Sequence, residues 1–135
     1  MFERLHHVAL AVKTIEGVLG EYAGVLGLPK SEIVYIDSQK VKATLIPVGD
    51  VEIELIEPTD PEGGVAKFLE RKGEGFHHIC FQVTDVDEEL KDLEKKGVQL
   101  IDKVSRPGLA GMVGFLHPRS TKGTLVELCT PIAHT

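Results

Sequence analysis

Tryptophan is absent from the 135 residues, and aromatic residues make up only 5% of them. A basic excess is missing as well: 15 Lys and Arg stand against 21 Asp and Glu, a formal net charge of −6. That excludes the basic stripe of a general nucleic-acid binder. A local basic patch would still suit an anionic small molecule. Lys40, Lys42, Arg106, Arg119 and Lys122 are available for one, although each taken singly reads first as solvated surface charge.

Cysteine is scarce too. Cys80 and Cys129 lie inside strand-like runs without Cys-x-x-Cys spacing, so they read as small buried thiols of a reducing compartment. No apolar run approaches the roughly 20 residues of a membrane span. The chain enters a strand within a few residues of its start, which predicts no signal or transit peptide and a cytoplasmic location. What is present is a 42% hydrophobic content, enough to bury the core of one domain.

The dominant pattern is a repeat. His6-His7-Val8-Ala9-Leu10-Ala11-Val12 is nearly replayed by His77-His78-Ile79-Cys80-Phe81-Gln82-Val83, and Ile53-Glu54-Leu55 by Val126-Glu127-Leu128. A period of about 70 residues is too long for a solenoid unit and fits a duplicated module. Leu5 to Lys13 alternates, with His7, Ala9 and Ala11 on one face and Val8, Leu10 and Val12 on the other. Thr14 is the predicted N-cap of a helix over Ile15 to Val25, ended by Gly27 and Pro29. Strands follow over Ile33–Ile36, Val41–Val48 and Val51–Glu57, the last two joined at Gly49-Asp50. A short helix over Val65–Lys72 closes the first half.

The second half predicts a strand over His77–Val83 and a helix over Val86–Lys96 capped by Thr84 or Asp85. Strands over Gln99–Val104, Met112–His117 and Thr124–Cys129 follow, with Arg106–Gly111 a flexible loop and the tail after Pro131 frayed. Each half therefore reads β-α-β-β-β. The expected fold is α+β: one domain, 1–135, of two paired βαβββ modules, about 1–74 and about 75–135. Their sheets would curl into one mixed cup with helices outside.

Strand parity puts His7, His78, Glu54 and Glu127 on the cup face, among small neighbours. His6 and His77 are expected to point away. Two neutral imidazoles and two carboxylates without thiolate suit one divalent ion of the Co, Mn, Ni or Zn kind. The alternative is two satisfied core histidines and two exposed strand glutamates.

These segments carry a resemblance. Beside the two histidine runs stand Pro47-Val48-Gly49-Asp50, Ile53-Glu54-Leu55-Ile56-Glu57-Pro58, Ala66-Lys67-Phe68-Leu69 and Gly97-Val98-Gln99-Leu100-Ile101-Asp102. Phe115-Leu116-His117-Pro118-Arg119-Ser120-Thr121 through Val126-Glu127-Leu128 completes the set. Together they resemble the vicinal oxygen chelate superfamily, and within it the methylmalonyl-CoA epimerases, over nearly the whole chain. The resemblance implies metal ligation by His7, Glu54, His78 and Glu127, and inversion at C2 of an acyl-CoA substrate through an enolate. Glu127 would then act as a base as well as a ligand. Some members carry a second glutamate where this chain has Ala43, which leaves the other base unassigned. Arg119, Ser120, Thr121 and Lys122 are the candidates for gripping the substrate, although the same residues equally make a polar hairpin turn. A homodimer is expected from the family habit, with no nucleic-acid or membrane partner. Two rival readings share the fold: a glyoxalase I-type lyase, which needs a cationic site for glutathione carboxylates, and a metal-free small-molecule binding protein.

Overall fold

The computed structural model describes residues 1–29 and 31–131. Eight strands and three α-helices follow the order β1 (Phe2–Ala11), α1 (Ile15–Leu19), β2 (Val34–Ile36), β3 (Val41–Val48), β4 (Val51–Pro58), α2 (Gly64–Lys72), β5 (Gly75–Val83), α3 (Val86–Lys95), β6 (Arg106–Gly108), β7 (Gly111–Leu116), β8 (Val126–Thr130). The α+β class holds, and so does the β-α-β-β-β order of each half. The expected fraying after Pro131 falls on residues outside those described.

By contact the chain forms two units: Val8–His77, and Met1–His7 together with His78–Thr135. In the unit of residues 8–77 the strand order is β2-β3-β4, followed by the carboxyl end of β1. Val41 to Val48 pairs antiparallel with Pro58 to Val51 without interruption. Gly49 makes the tight turn at φ +60°, a conformation glycine adopts without steric cost. Val12, Ile15, Ile46 and Leu55 form the core of this unit. Helix α1 is short and runs on as a π-helical turn over Gly20–Val25. Thr14 precedes it in extended conformation but makes no side-chain cap. Glu57 Oε1 takes that role, accepting from Ile15 N–H at 2.8 Å, and satisfies one of the orphan amides of a helix start.

In the other unit the amino end of β1 lies beside the order β5-β8-β7-β6. Strands β5 and β8 are parallel, Cys80 opposite Glu127; β7 and β8 are antiparallel, Phe115 opposite Glu127. Residues in register share a face. One face therefore carries Cys80, Phe115, Glu127, Val113 and Cys129. The opposite face, with Leu116, Val126 and Leu128, packs on Val86 and Leu90 of α3. Each such fully buried aliphatic side chain contributes about 1.5–3 kcal/mol. Gly114 makes room for this contact: a Cβ there would sit 2.9 Å from Leu90 Cδ1. Asp85 caps α3, accepting from Glu88 N–H.

The expected strand over Gln99–Val104 is replaced by a single bridge, Leu100 to Leu116. The reason is Asp102. Its Oδ2 accepts from Phe115 N–H at 2.9 Å, so a side chain occupies the amide a ladder would have used. The partner of β7 is instead Arg106–Gly108, part of the run expected to be a flexible loop. Pro107 is tolerated there because β6 is the sheet edge, where a missing N–H breaks no ladder.

Candidate metal centre

Three of the four expected ligands meet within the unit of residues 1–7 and 78–135. His7 comes from β1, His78 from β5 and Glu127 from β8, each on a strand whose pairing fixes its backbone. His7 Nε2 lies 3.0 Å from Glu127 Oε1. His78 Nε2 lies 3.2 Å from the same oxygen. The two Nε2 atoms are 3.3 Å apart. All three residues are buried, His7 at 1% and Glu127 at 5% exposure.

Three lone-pair atoms thus close a triangle of nearly equal sides. Glu127 Oε1 makes no hydrogen bond despite having two ring nitrogens at contact distance. An orphaned buried carboxylate oxygen is costly unless something else satisfies it. Ligand atoms bound at about 2.1 Å and at right angles to one another stand about 3.0 Å apart. The donor set and its spacing therefore fit a divalent ion. Burial by itself would push the Glu127 carboxyl up, but the adjacent His7 and His78 imidazoles outweigh it and hold the group well below the usual carboxylate range.

Glu54, the fourth expected ligand, is on β4 in the unit of residues 8–77. It is buried and faces away from the Leu55 core, sharing its face with Ile56. Ala43 stands directly opposite Ile56. Its methyl group thus occupies the Glu54 face, where some family members place a second carboxylate.

Around the triangle, Phe115 sets its ring edge-on to His78 with centroids 5.4 Å apart. The Arg106 guanidinium lies over Phe115 at 5.6 Å. Cys80 and Cys129 are free, buried thiols on the Glu127 face. Burial pushes the Cys80 thiol far up, with Cys129 and Glu127 adding to it.

His6 corrects the sequence expectation. It does not point away from the cluster: its Nδ1 lies 2.8 Å from His7 Nδ1, and it is buried. Strict alternation would separate consecutive side chains on opposite faces, and β1 departs from it here. The doubled His-His was the sequence signal, but parity argued against its first member. His77 instead packs on Phe68 of α2, ring centroids 4.8 Å apart.

The four candidate substrate contacts lie on and just after the 3₁₀ turn Pro118–Thr121. Two of them make hydrogen bonds within the fold. Ser120 Oγ accepts from Gln99 N–H at 2.8 Å, and the Thr121 hydroxyl donates to the carbonyls of Pro118 and Thr124. Arg119 and Lys122 are exposed, Lys122 in the left-handed region at φ 58°.

The β-α-β-β-β order of each half, with His7, His78 and Glu127 buried together, defines an α+β protein with a candidate metal centre. The chain belongs to the glyoxalase/bleomycin resistance protein/dioxygenase superfamily, whose model matches residues 6–134. It is 42% identical over 129 residues to an uncharacterized protein of Bacillus subtilis (strain 168), spanning 95% of this chain and 92% of the relative. Against the mitochondrial methylmalonyl-CoA epimerase of Homo sapiens it is 35% identical over 127 residues, 93% of this chain and 72% of the relative. A solved methylmalonyl-CoA epimerase in complex with methylmalonyl-CoA and NH4+ superposes with a TM-score of 0.94 at 30% identity, covering 98% of this chain and 97% of that one.

Proposed function

We propose that this chain is a methylmalonyl-CoA epimerase, interconverting the 2S and 2R thioesters through an enolate. The observation that carries the reading is the convergence of His7 Nε2, His78 Nε2 and Glu127 Oε1 in a chain whose relatives and structural neighbours include enzymes of that name. His7, His78 and Glu127 would hold one divalent ion, of the Co, Mn, Ni or Zn kind, with Glu54 as the fourth ligand. Glu54 is assigned from the repeat, where it matches Glu127, and from its burial. When bound, such an ion supplies Lewis-acid stabilisation of the negative charge that develops on the thioester oxygen.

The chain's own residues do the rest. The second carboxylate oxygen of Glu127 would accept the C2 proton of the substrate. Removal of that proton leaves a planar carbon, and inversion requires a proton to return on the opposite face. Ala43 has no group to deliver it, so the second acid/base lies elsewhere than residue 43. The Phe115 ring packs edge-on against His78. Arg119 and Lys122 are the cations left for the anionic end of the substrate, since Ser120 is bonded to Gln99 and Thr121 to Pro118 and Thr124. The chain acts as one domain of two modules dividing near residue 74, as a homodimer in the cytoplasm. No helix among the described residues is long and apolar enough to cross a membrane.

The deciding experiment is proton–deuterium exchange at C2 of methylmalonyl-CoA in heavy water, run beside a glyoxalase assay on the same metal-loaded preparation. Exchange without lyase activity is expected. Absence of exchange refutes the epimerase reading, and lyase activity in its place points to the glyoxalase class.

A further inference from the structure

The 2.8 Å contact between His6 Nδ1 and His7 Nδ1 can hold only one proton. Its direction decides what the other end of the His7 ring can do. If His6 donates, neutral His7 must carry its proton on Nε2, the atom facing Glu127 and His78. That nitrogen then has no lone pair to give. If His7 donates, its Nε2 lone pair is directed at the triangle.

We propose that His6 is a positioning residue for the metal centre: it accepts a hydrogen bond from His7 Nδ1–H and thereby keeps the His7 Nε2 lone pair turned toward Glu127 and His78. The assignment rests on the metal reading of the preceding subsection. Ligating imidazoles elsewhere generally donate their second N–H to a carboxylate, a carbonyl or water, which fixes tautomer and ring orientation. Here a buried neutral imidazole takes that place.

The charge balance gives a reason. Glu127 and the proposed ligand Glu54 already bring two negative charges to a divalent ion. A carboxylate behind His7 would add a third in a buried setting, at the cost of desolvation. A neutral acceptor orients the ring without adding charge. As acceptor at Nδ1, neutral His6 carries its own proton on Nε2. Its buried surroundings include the Cys80 and Cys129 sulfurs, which lie within 4.8 Å of a His6 ring nitrogen and of each other.

The test uses the full chain and Zn2+, a diamagnetic probe. Zinc affinity is measured by competition with a chromophoric chelator for the wild type, His6→Leu and His6→Asn. His6→Leu keeps apolar bulk and removes the acceptor; His6→Asn restores an acceptor oxygen near the Nδ1 position. The expected result is a loss of about 10–100-fold in affinity for His6→Leu, with recovery to within a few-fold of wild type in His6→Asn. Long-range 1H–15N correlation on the zinc-loaded wild type should show the proton of His7 on Nδ1 and that of His6 on Nε2. A merely structural role would lower the melting temperature without separating the two variants in zinc affinity. Unchanged affinity in His6→Leu, or a His6 proton on Nδ1 in the zinc-loaded wild type, overturns the assignment while leaving the metal reading intact. A wild-type chain that binds no zinc overturns both. Should His6→Leu fail to fold, the wild-type correlation spectrum decides alone.

Discussion

Phe115 stands directly opposite Glu127 in the β7–β8 ladder and sets its ring edge-on against His78. One residue thus neighbours two of the three residues that converge at the centre. Glu127 and His78 are both buried, where electrostatic attraction is stronger than in water. Phe115→Ala is expected to destabilise the protein by about 3–5 kcal/mol through the cavity it leaves. It should also weaken metal binding, because His78 loses its lateral support. Denaturant unfolding with an unchanged m-value, together with a zinc titration, measures both. A variant that loses stability while binding zinc as the wild type does would show that Phe115 is core filling alone.

Glu127 and Glu54 occupy matching places in the two halves but are expected to differ in role. At equal metal occupancy, Glu127→Gln should lower epimerase turnover by about 10²–10⁴-fold, the range of general acid–base catalysis. Glu54→Gln should lower it far less. Turnover and metal content measured on the same samples make the comparison, and equal losses would argue against Glu127 acting as both ligand and base.

Removing the metal should destabilise the fold as well as abolish exchange at C2. An ion present at 100 times its Kd stabilises the native state by about 2.7 kcal/mol. A chelator should therefore lower the melting temperature by several degrees, and excess Mn2+ or Co2+ should restore it. A melting temperature indifferent to chelator and metal would speak for the metal-free binding class.

Asp87 provides a pH-dependent link away from the centre. It accepts two hydrogen bonds from Ser105, at its backbone N–H and its hydroxyl, both at 2.8 Å. These bonds hold the carboxyl below its ordinary value. A depressed pKa in the folded state means stability that is present above the unfolded value and lost as pH falls through the folded one. Asp87→Asn should cost about 1–2 kcal/mol at pH 7, and the gap to wild type should narrow below about pH 4. Stability curves of the two proteins between pH 7 and pH 2.5 check this. A gap that stays constant across the range would rule out the charged form as the source.

Much of this architecture was legible before any coordinates. The strand-like runs Val41–Val48 and Val51–Glu57, joined at Gly49-Asp50, marked a hairpin, and the structure pairs them without interruption with Gly49 in the turn. The Asp85 cap and the acidic start of α3 were equally local. The doubled histidine and glutamate runs pointed to His7, His78 and Glu127 because a repeated residue type on a repeated strand lands in a repeated place. Other features rested on groups distant in the chain. Asp102 displaced a strand by taking the Phe115 amide, and Glu57 capped a helix that Thr14 did not. His6 Nδ1 meets His7 Nδ1 at 2.8 Å although strand alternation would set the two side chains apart, and no periodicity records such a contact. By itself the sequence determined which residues are paired and repeated, since those follow from backbone period and residue type. Only the tertiary structure decided which nitrogen faces which, since hydrogen-bond direction depends on atoms that meet in space and not along the chain.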